Sequence, residues 1–137
     1  MIEQAVRALL TTHVDVAPLV AGRVFPMILP QAGVYPAITY QTITGASNYS
    51  MDGSSELASP RLQFDCYALS YDAVTRLKAA VMKCLSGFSG SVGTPPVEIQ
   101  GAFRVNESDD FEQPLDGPGP RVWRKTLDFI IWHKEIY

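Results

Sequence analysis

The chain has 137 residues, of which 47% are apolar and 18% charged, and its net charge is −3. This size and composition are typical of one folded domain with a single core, so we expect residues 1–137 to form one domain. The negative charge lacks the basic footprint of a protein that grips phosphates, which argues against a nucleic-acid clamp.

The chain shows no membrane or export signal. Its longest apolar stretches, such as residues 25–29 and 127–132, are far shorter than the roughly 20 residues of a membrane-spanning helix. The start has no basic segment followed by an apolar one, so we expect no secretory signal and a reducing, cytoplasmic location. Cys66 and Cys84 both lie on predicted apolar faces, which favours buried free thiols over a disulfide.

Two helices and an edge strand are predicted at the start of the chain. The first helix is amphipathic, because its apolar residues recur at helical spacing. Those residues are Ile2, Ala5, Val6, Leu9 and Leu10. We expect Asp15 to cap a short second helix that ends at Gly22. The apolar segment after Arg23 contains Pro26, which indicates an edge strand or a bulge.

Two further strands are predicted on either side of a polar segment. Residues 37–44 and 61–69 alternate with period two, and in the second run Leu62, Phe64, Cys66 and Ala68 share one face. Residues 45–56 are rich in turn-forming residues and predict a long loop. Tyr49 and Met51 are candidate interface residues within that loop, because apolar side chains in a polar segment often order on binding.

The central helix is the clearest element of the pattern. Ser70 or Asp72 can cap its start, and Gly87 is expected to end it. Asp72 near the start and Lys83 near the end both suit the helix dipole. A broad apolar stripe comprises Ala73, Val74, Leu77, Ala80, Val81, Cys84 and Leu85.

The last part of the chain predicts two strands around an acidic loop. A connection at 86–96 leads to a strand of about nine residues from Val97. An acidic loop covers 106–120, and a closing strand covers 121–134. The closing strand is apolar on both faces, with Leu127, Phe129 and Ile131 on one and Val122, Ile130 and Trp132 on the other. Each apolar face must be covered, either by this chain or by another subunit. We therefore name Ile130 and Trp132 as candidate interface residues.

The order of the elements predicts an α+β fold. We expect an antiparallel β-sheet of about five strands, with the N-terminal helix and the longer central helix packed on one face. The predicted core between sheet and helices comprises Leu62, Phe64, Cys66, Leu77, Val81, Leu85, Leu127 and Phe129.

The sequence shows no pattern that supports catalysis or a cofactor. His13 and His133 have no metal-ligand spacing, and the glycines around residues 87–93 fit neither a nucleophile elbow nor a phosphate loop. We therefore predict no enzyme activity, no cofactor and no metal.

One acidic cluster invites a calcium hypothesis. Its members are Glu107, Asp109, Asp110, Glu112 and Asp116. The spacing lacks the central glycine and the terminal glutamate of a calcium loop, so a solvated acidic loop is favoured. We expect Glu107, Asp109, Asp110 and Glu112 to act by charge, either by docking a basic partner or by repelling a polyanion.

Several segments, taken in order, resemble one family. They are the opening helix, residues 19–25, the Tyr35-Pro36 step before residues 38–41, residues 61–68 that run into the central helix, and the closing strand from Arg121. Together they are similar to the tail terminator or tail-completion proteins of long-tailed bacteriophages, related prophages and gene-transfer particles. The resemblance covers nearly the whole chain, although no single motif in it is specific.

The resemblance implies a structural virion protein without catalytic residues. It implies a ring, usually of six subunits, that sits on the last ring of tail tube protein and stops its polymerisation. The ring then joins the tail to the head connector, and DNA passes its bore without specific binding. The protein would be assembled in the host cytoplasm and end at the head-proximal end of the tail.

Two alternatives remain open. One is another head-tail joining protein, such as an adaptor or a head-closure ring, which would contact different partners. The other is a small ligand-binding or enzymatic domain with a cleft between helices and sheet, which would need convergent polar groups that the sequence does not show.

Overall fold

The computed structural model describes residues 2–28, 35–44, 47–50, 53–92, 97–112 and 122–134. Of these, residues 44, 47–50, 53–57, 110–112 and 134 are described by their backbone alone. The helices are α1 (Ile2–Thr12), α2 (Ala17–Val20) and α3 (Tyr71–Leu85). The strands are β1 (Val24–Pro26), β2 (Ala37–Thr44), β3 (Ser47–Ser50), β4 (Gly53–Ala58), β5 (Arg61–Ala68), β6 (Gly90–Val92), β7 (Val97–Glu112) and β8 (Val122–Lys134).

Strand β8 lies at the centre of the sheet. It pairs antiparallel with β5 along one side and with β7 along the other. Strand β4 continues the pairing of β5 past Pro60, because Leu57 and Ala58 pair with the last two residues of β8. On the far side of β5 lies β2, and β1 then pairs with β2 in parallel.

The α+β prediction is confirmed in outline and corrected in detail. The strands β1, β2, β5, β7 and β8 correspond to the five predicted ones. Three short strands, β3, β4 and β6, lie in segments that were predicted as loops or connections. The sheet of the described residues is also mixed rather than purely antiparallel, since β1 runs parallel to β2.

The helices pack on one face of this sheet and enclose the core. The predicted apolar stripe of α1 is buried, as are all eight residues of the predicted core. Phe64 of β5 and Phe129 of β8 are fully buried and meet edge to face, with ring centroids 5.9 Å apart. Side-chain alternation with period two on the strands, and helical spacing on α1 and α3, therefore placed the core correctly.

Helix α3 begins and ends as its residue types require. The Ser70 hydroxyl accepts a hydrogen bond from the backbone N–H of Ala73 at 3.1 Å, which identifies Ser70 rather than Asp72 as the cap. After Leu85 the chain leaves the helix, and Gly87 adopts a φ of +74° that suits glycine.

The predicted cap of the short second helix is wrong. The residue in the capping position of α2 is Val16, and it makes no side-chain capping bond. The Asp15 carboxylate instead lies 3.4 Å from Lys83 Nζ at the end of α3. Pro18 lies in the first turn of α2. A proline is tolerated there because backbone N–H groups in the first turn have no partner within the helix.

Both cysteines are buried free thiols, as predicted. Burial raises the pKa of Cys66 to about 12, with a smaller contribution from the neighbouring Asp65 carboxylate. Burial alone raises the pKa of Cys84 to about 12. Because the thiolate is the reactive form, neither residue should react while the protein is folded.

We therefore expect the native protein to resist a thiol reagent at mildly alkaline pH and to react at both cysteines once denatured. A colorimetric thiol assay with and without denaturant measures this. Replacement of both cysteines by alanine or valine should also leave assembly intact. Rapid native labelling, or a folded double variant that fails to assemble, would contradict the structural role of the thiols.

Candidate interaction surfaces

The alternation of β8 divides its side chains between two faces of the sheet. Leu127, Phe129 and Ile131 face the helices and are fully buried. The intervening residues lie on the opposite side, which we call the second face. Ile130 is half-buried there and Trp132 is 37% exposed. This split matches the doubly apolar pattern of the sequence.

An exposed apolar cluster lies at one end of the second face. Phe103 of β7 pairs directly with Ile130 and is 54% exposed. Gly101, two residues before Phe103, pairs with Trp132. A Cβ atom at Gly101 would come within 2.9 Å of the Phe103 ring, so the ring lies over the glycine. We call Phe103, Ile130 and Trp132 the apolar patch.

A polar ladder continues along the second face beside the patch. The Gln41 amide donates to Gln63 Oε1 at 3.2 Å, and the Gln63 amide donates to Asp65 Oδ1 at 3.3 Å. The Thr126 hydroxyl donates to the same Asp65 oxygen at 2.6 Å. These bonds tie β2, β5 and β8 together through side chains on the second face.

An ion pair joins the polar ladder to the apolar patch. Arg61 donates from Nε and Nη2 to Asp128 Oδ2, at 3.1 and 2.6 Å. The Asp128 side chain is only 10% exposed, whereas that of Arg61 is 38% exposed. The other carboxylate oxygen, Asp128 Oδ1, is buried and has no hydrogen-bond partner among the described residues. The hydrogen bonds from Arg61 therefore offset the cost of burying the Asp128 charge.

Four of the five residues of the acidic cluster lie in a strand and not in the predicted loop, and the fifth, Asp116, lies outside the described residues. Residues 106–112 belong to β7, a strand of 16 residues that pairs with β8 as far as Glu112 and Val122. Glu107 Oε1 lies 2.9 Å from Lys78 Nζ of α3, and Glu107 Oε2 accepts from Arg104 Nη1 at 2.6 Å. The Glu107 charge is thus paired within the chain rather than free in solvent.

Asp109 is paired in the same region. Its Oδ1 accepts from Lys125 Nζ at 2.7 Å, and the Lys125 side chain is only 6% exposed. The same Nζ lies 3.4 Å from the Tyr71 hydroxyl and 4.8 Å from the centre of the Tyr71 ring. Lys125 thereby connects β7 and β8 to the start of α3.

These contacts set the ionisation of the two groups. The hydrogen bond from Lys78 is the main reason why the pKa of Glu107 lies below its ordinary value, and the charges of Lys78 and Arg104 add to it. Desolvation tends to lower the pKa of Lys125. The bonds to Asp109 and Tyr71 together outweigh that effect and raise the pKa of Lys125.

The lowered pKa of Glu107 predicts a loss of stability in acid. A carboxyl group with a depressed folded pKa stabilises the fold above its unfolded pKa, and the contribution disappears as pH falls through the folded value. Wild type should therefore exceed Glu107→Gln in stability near neutral pH. The difference should shrink below the ordinary glutamate range, as measured by urea unfolding at several pH values. A difference that does not change with pH would contradict this role of the Lys78 contact.

The remaining predicted interface residues are only partly placed. Tyr49 lies in β3, and Asp110 and Glu112 lie in β7, where they pair in register with Arg124 and Val122. Their side chains, and Met51 altogether, lie outside the described residues. The structure brings Ile130 and Trp132 together, but Glu107 and Asp109 are on the helix side of the sheet near α3. Sequence reasoning missed Phe103, which the strand register places opposite Ile130.

The described residues hold no group of three or more His, Cys, Asp or Glu side chains arranged for a metal ion. His13 accepts a hydrogen bond at Nδ1 from the backbone N–H of Asp15 at 3.1 Å, so it closes the end of α1. No helix in the described part of the chain combines the length and apolar character needed to cross a membrane.

The described surfaces are suited to contact with other proteins. Comparison with known protein families identifies the class to which the chain belongs. Residues 4–134 match the family described as "Tail completion protein gp17". Because the match spans nearly the whole chain, the chain belongs to this family of structural bacteriophage tail proteins, which are not enzymes. The resemblance inferred from the order of the segments is thereby confirmed.

The other comparisons bear on the fold. A search among curated proteins returned no match. Among solved structures, the fold is similar to that of a chain described as "Virion of native gene transfer agent (GTA) particle". The TM-score is 0.73 at 17% identity, over 95% of this chain and 92% of the other. The two chains therefore share a fold.

Proposed function

We propose that this chain forms a ring, of six subunits, that caps the phage tail tube. The ring ends polymerisation of the tube protein and joins the tail to the head connector or head-closure protein. The observation that carries the proposal is the family match over residues 4–134, which covers every described helix and strand apart from the first two residues of α1. Assembly takes place in the host cytoplasm, and the protein ends at the head-proximal end of the virion tail.

The apolar patch supports an assembly role. Phe103 and Trp132 expose 54% and 37% of their surface beside the half-buried Ile130. Aromatic side chains grouped on a surface are typical of the centre of a protein interface. Contact with another subunit would remove this patch from water.

The charge balance suits a bore that passes DNA. The net charge is −3, and Glu107 and Asp109 are paired with cations of the same chain. At physiological salt the remaining charges act over only about 8 Å. A weakly acidic bore would therefore repel the DNA backbone at close range without holding it.

Mixing experiments test the proposal. Electron microscopy of the purified chain, alone and with cognate tail tubes, should show rings at one end of the tubes. Tubes grown with the chain present should be shorter than tubes grown without it. Binding to head-side proteins alone, with no effect on tube length, would favour an adaptor or head-closure ring instead.

A matched pair of variants separates the apolar patch from general surface change. Trp132→Glu should weaken ring formation measured by light scattering, whereas Val14→Glu should not. Val14 is 78% exposed and lies between α1 and α2, away from the patch. Equal ring formation by both variants would show that the apolar patch is not part of the interface between subunits.

A further inference from the structure

Most of one edge of β7 has no partner among the described residues. Strand β6 pairs only with Val97–Ile99, and the N–H of Gly87 then donates to the carbonyl of Ala102 at 2.8 Å. Beyond Ala102, β7 pairs with β8 on its other side alone. We call residues 103–112 on this side the open edge.

The backbone groups of the open edge can be assigned from the ladder. Because the Ala102 carbonyl bonds to Gly87, the backbone of Ala102 faces away from β8. Antiparallel pairing alternates, so Arg104 faces the same way. After the irregularity between Arg104 and Asn106, the pairing in register places Glu107, Asp109 and Phe111 on that side as well. The open edge thus presents a row of N–H and C=O groups to a further strand.

Two acidic side chains of the open edge are already paired within the chain. Charged side chains normally blunt an exposed edge. Here Glu107 is paired with Lys78 and Arg104, and Asp109 is paired with Lys125. Phe103 and Val105 are 54% and 45% exposed at its start. At the start of the open edge a neighbouring strand would therefore meet backbone and apolar groups, and the charges of Glu107 and Asp109 already have partners within the chain.

A second edge without a partner among the described residues lies at the opposite corner of the sheet. Strands β3 and β4 form a hairpin, and only Leu57 and Ala58 connect it to β8, at residues 133–134. Strand β3 pairs with β4 alone among the described residues. The open edge lies along residues 122–130 of β8, on its other side. The hairpin therefore projects away from the open edge of its own chain.

We propose that the β3–β4 hairpin of a second copy of this chain adds to the open edge of β7. The contact rests on the ring proposed above and specifies how its subunits join. Each chain supplies one hairpin and one edge, two different surfaces that cannot meet within a chain. A contact of this head-to-tail kind, repeated with rotation, closes into a ring.

Cross-linking of two single-cysteine variants tests the contact. Asn48→Cys places a thiol in β3, and Ser108→Cys places one on the exposed part of β7. The native cysteines are buried, and burial suppresses their reaction. We expect a short bis-maleimide to join the two variants when they are mixed at ring-forming concentration, and neither variant to join to itself. Ser108→Cys mixed with Thr12→Cys, at the exposed end of α1, is the control and should give no product.

The outcomes separate the contact from the function. Rings seen by microscopy without the mixed cross-link, or with equal linking to Thr12→Cys, would overturn the hairpin contact and leave the ring standing. A cross-link from Ser108→Cys to tube protein would also overturn it, because the edge would then serve the tube. If no ring forms in any mixture, with or without tail tubes, the proposed function fails and the contact with it.

A second variant tests the edge without cross-linking. Val105→Lys places a charge where a strand must dock, whereas Val14→Lys adds the same charge elsewhere. We expect Val105→Lys to raise the concentration for half-maximal assembly about tenfold or more, with unchanged melting. Equal assembly of the two folded lysine variants would contradict docking at this edge.

Discussion

Replacement of Phe64 by alanine should lower the free energy of unfolding by about 2–5 kcal/mol, as should Leu77→Ala. Both side chains are fully buried between the sheet and α3. Phe64 also meets Phe129 edge to face, so its removal leaves a cavity and an unpaired ring. Urea unfolding followed by circular dichroism measures the loss.

Leu69→Ala is the matched control for Leu77→Ala. Leu69 lies between β5 and α3 and is 49% exposed, so the same deletion removes little buried surface. Its effect should stay within about 0.5 kcal/mol. If Leu77→Ala and Leu69→Ala unfolded at the same urea concentration, the assignment of the core face would be wrong.

Arg61→Met should destabilise the fold by about 1–3 kcal/mol. The substitution removes both hydrogen bonds to Asp128 Oδ2, while Asp128 Oδ1 already has no partner. The Asp128 carboxylate, whose side chain is only 10% exposed, would then have no positive charge beside it from Arg61. The partial exposure of Arg61, 38%, keeps the expected loss below that of a fully buried pair.

A double variant and an exposed pair control this result. Arg61→Met combined with Asp128→Leu should recover most of the loss, because the uncompensated charge is removed as well. Arg76→Met breaks the ion pair between Arg76 and Asp72, whose two side chains are 74% and 76% exposed. This substitution should lower the free energy of unfolding by at most about 0.5 kcal/mol. Equal losses in the two arginine variants, or no recovery in the double variant, would rule out the orphaned carboxylate as the cause.

The sequence predicted poorly where polar residues form strands. Residues 47–50 and 53–58 contain four serines and one glycine, residue types that favour turns, yet they pair as a hairpin. The acidic residues from Glu107 to Glu112 are also disfavoured in strands. Pairing with β8 and the cations at Lys78 and Lys125 outweigh that local preference.

The candidate interface residues also divide into those that the sequence indicates and those that depend on strand pairing. Ile130 and Trp132 are interface candidates from alternation alone, because apolar side chains on both faces of one strand are visible in the sequence. Phe103 joins them only through the register of β7 with β8. Asp109 was expected to be a free charge, and its bond to Lys125 could not be inferred because 16 residues separate the two along the chain.

By itself, the sequence determined which face of each long element is buried, and the order of segments that marks the family. Those features are local, since burial follows the period of a helix or strand and hydrophobic transfer acts on each side chain separately. The tertiary structure alone decided the strand register, the ion pairs of Glu107, Asp109 and Asp128, and the open edge of β7. These depend on which distant segments pair, and several pairings of similar composition would bury the same apolar residues.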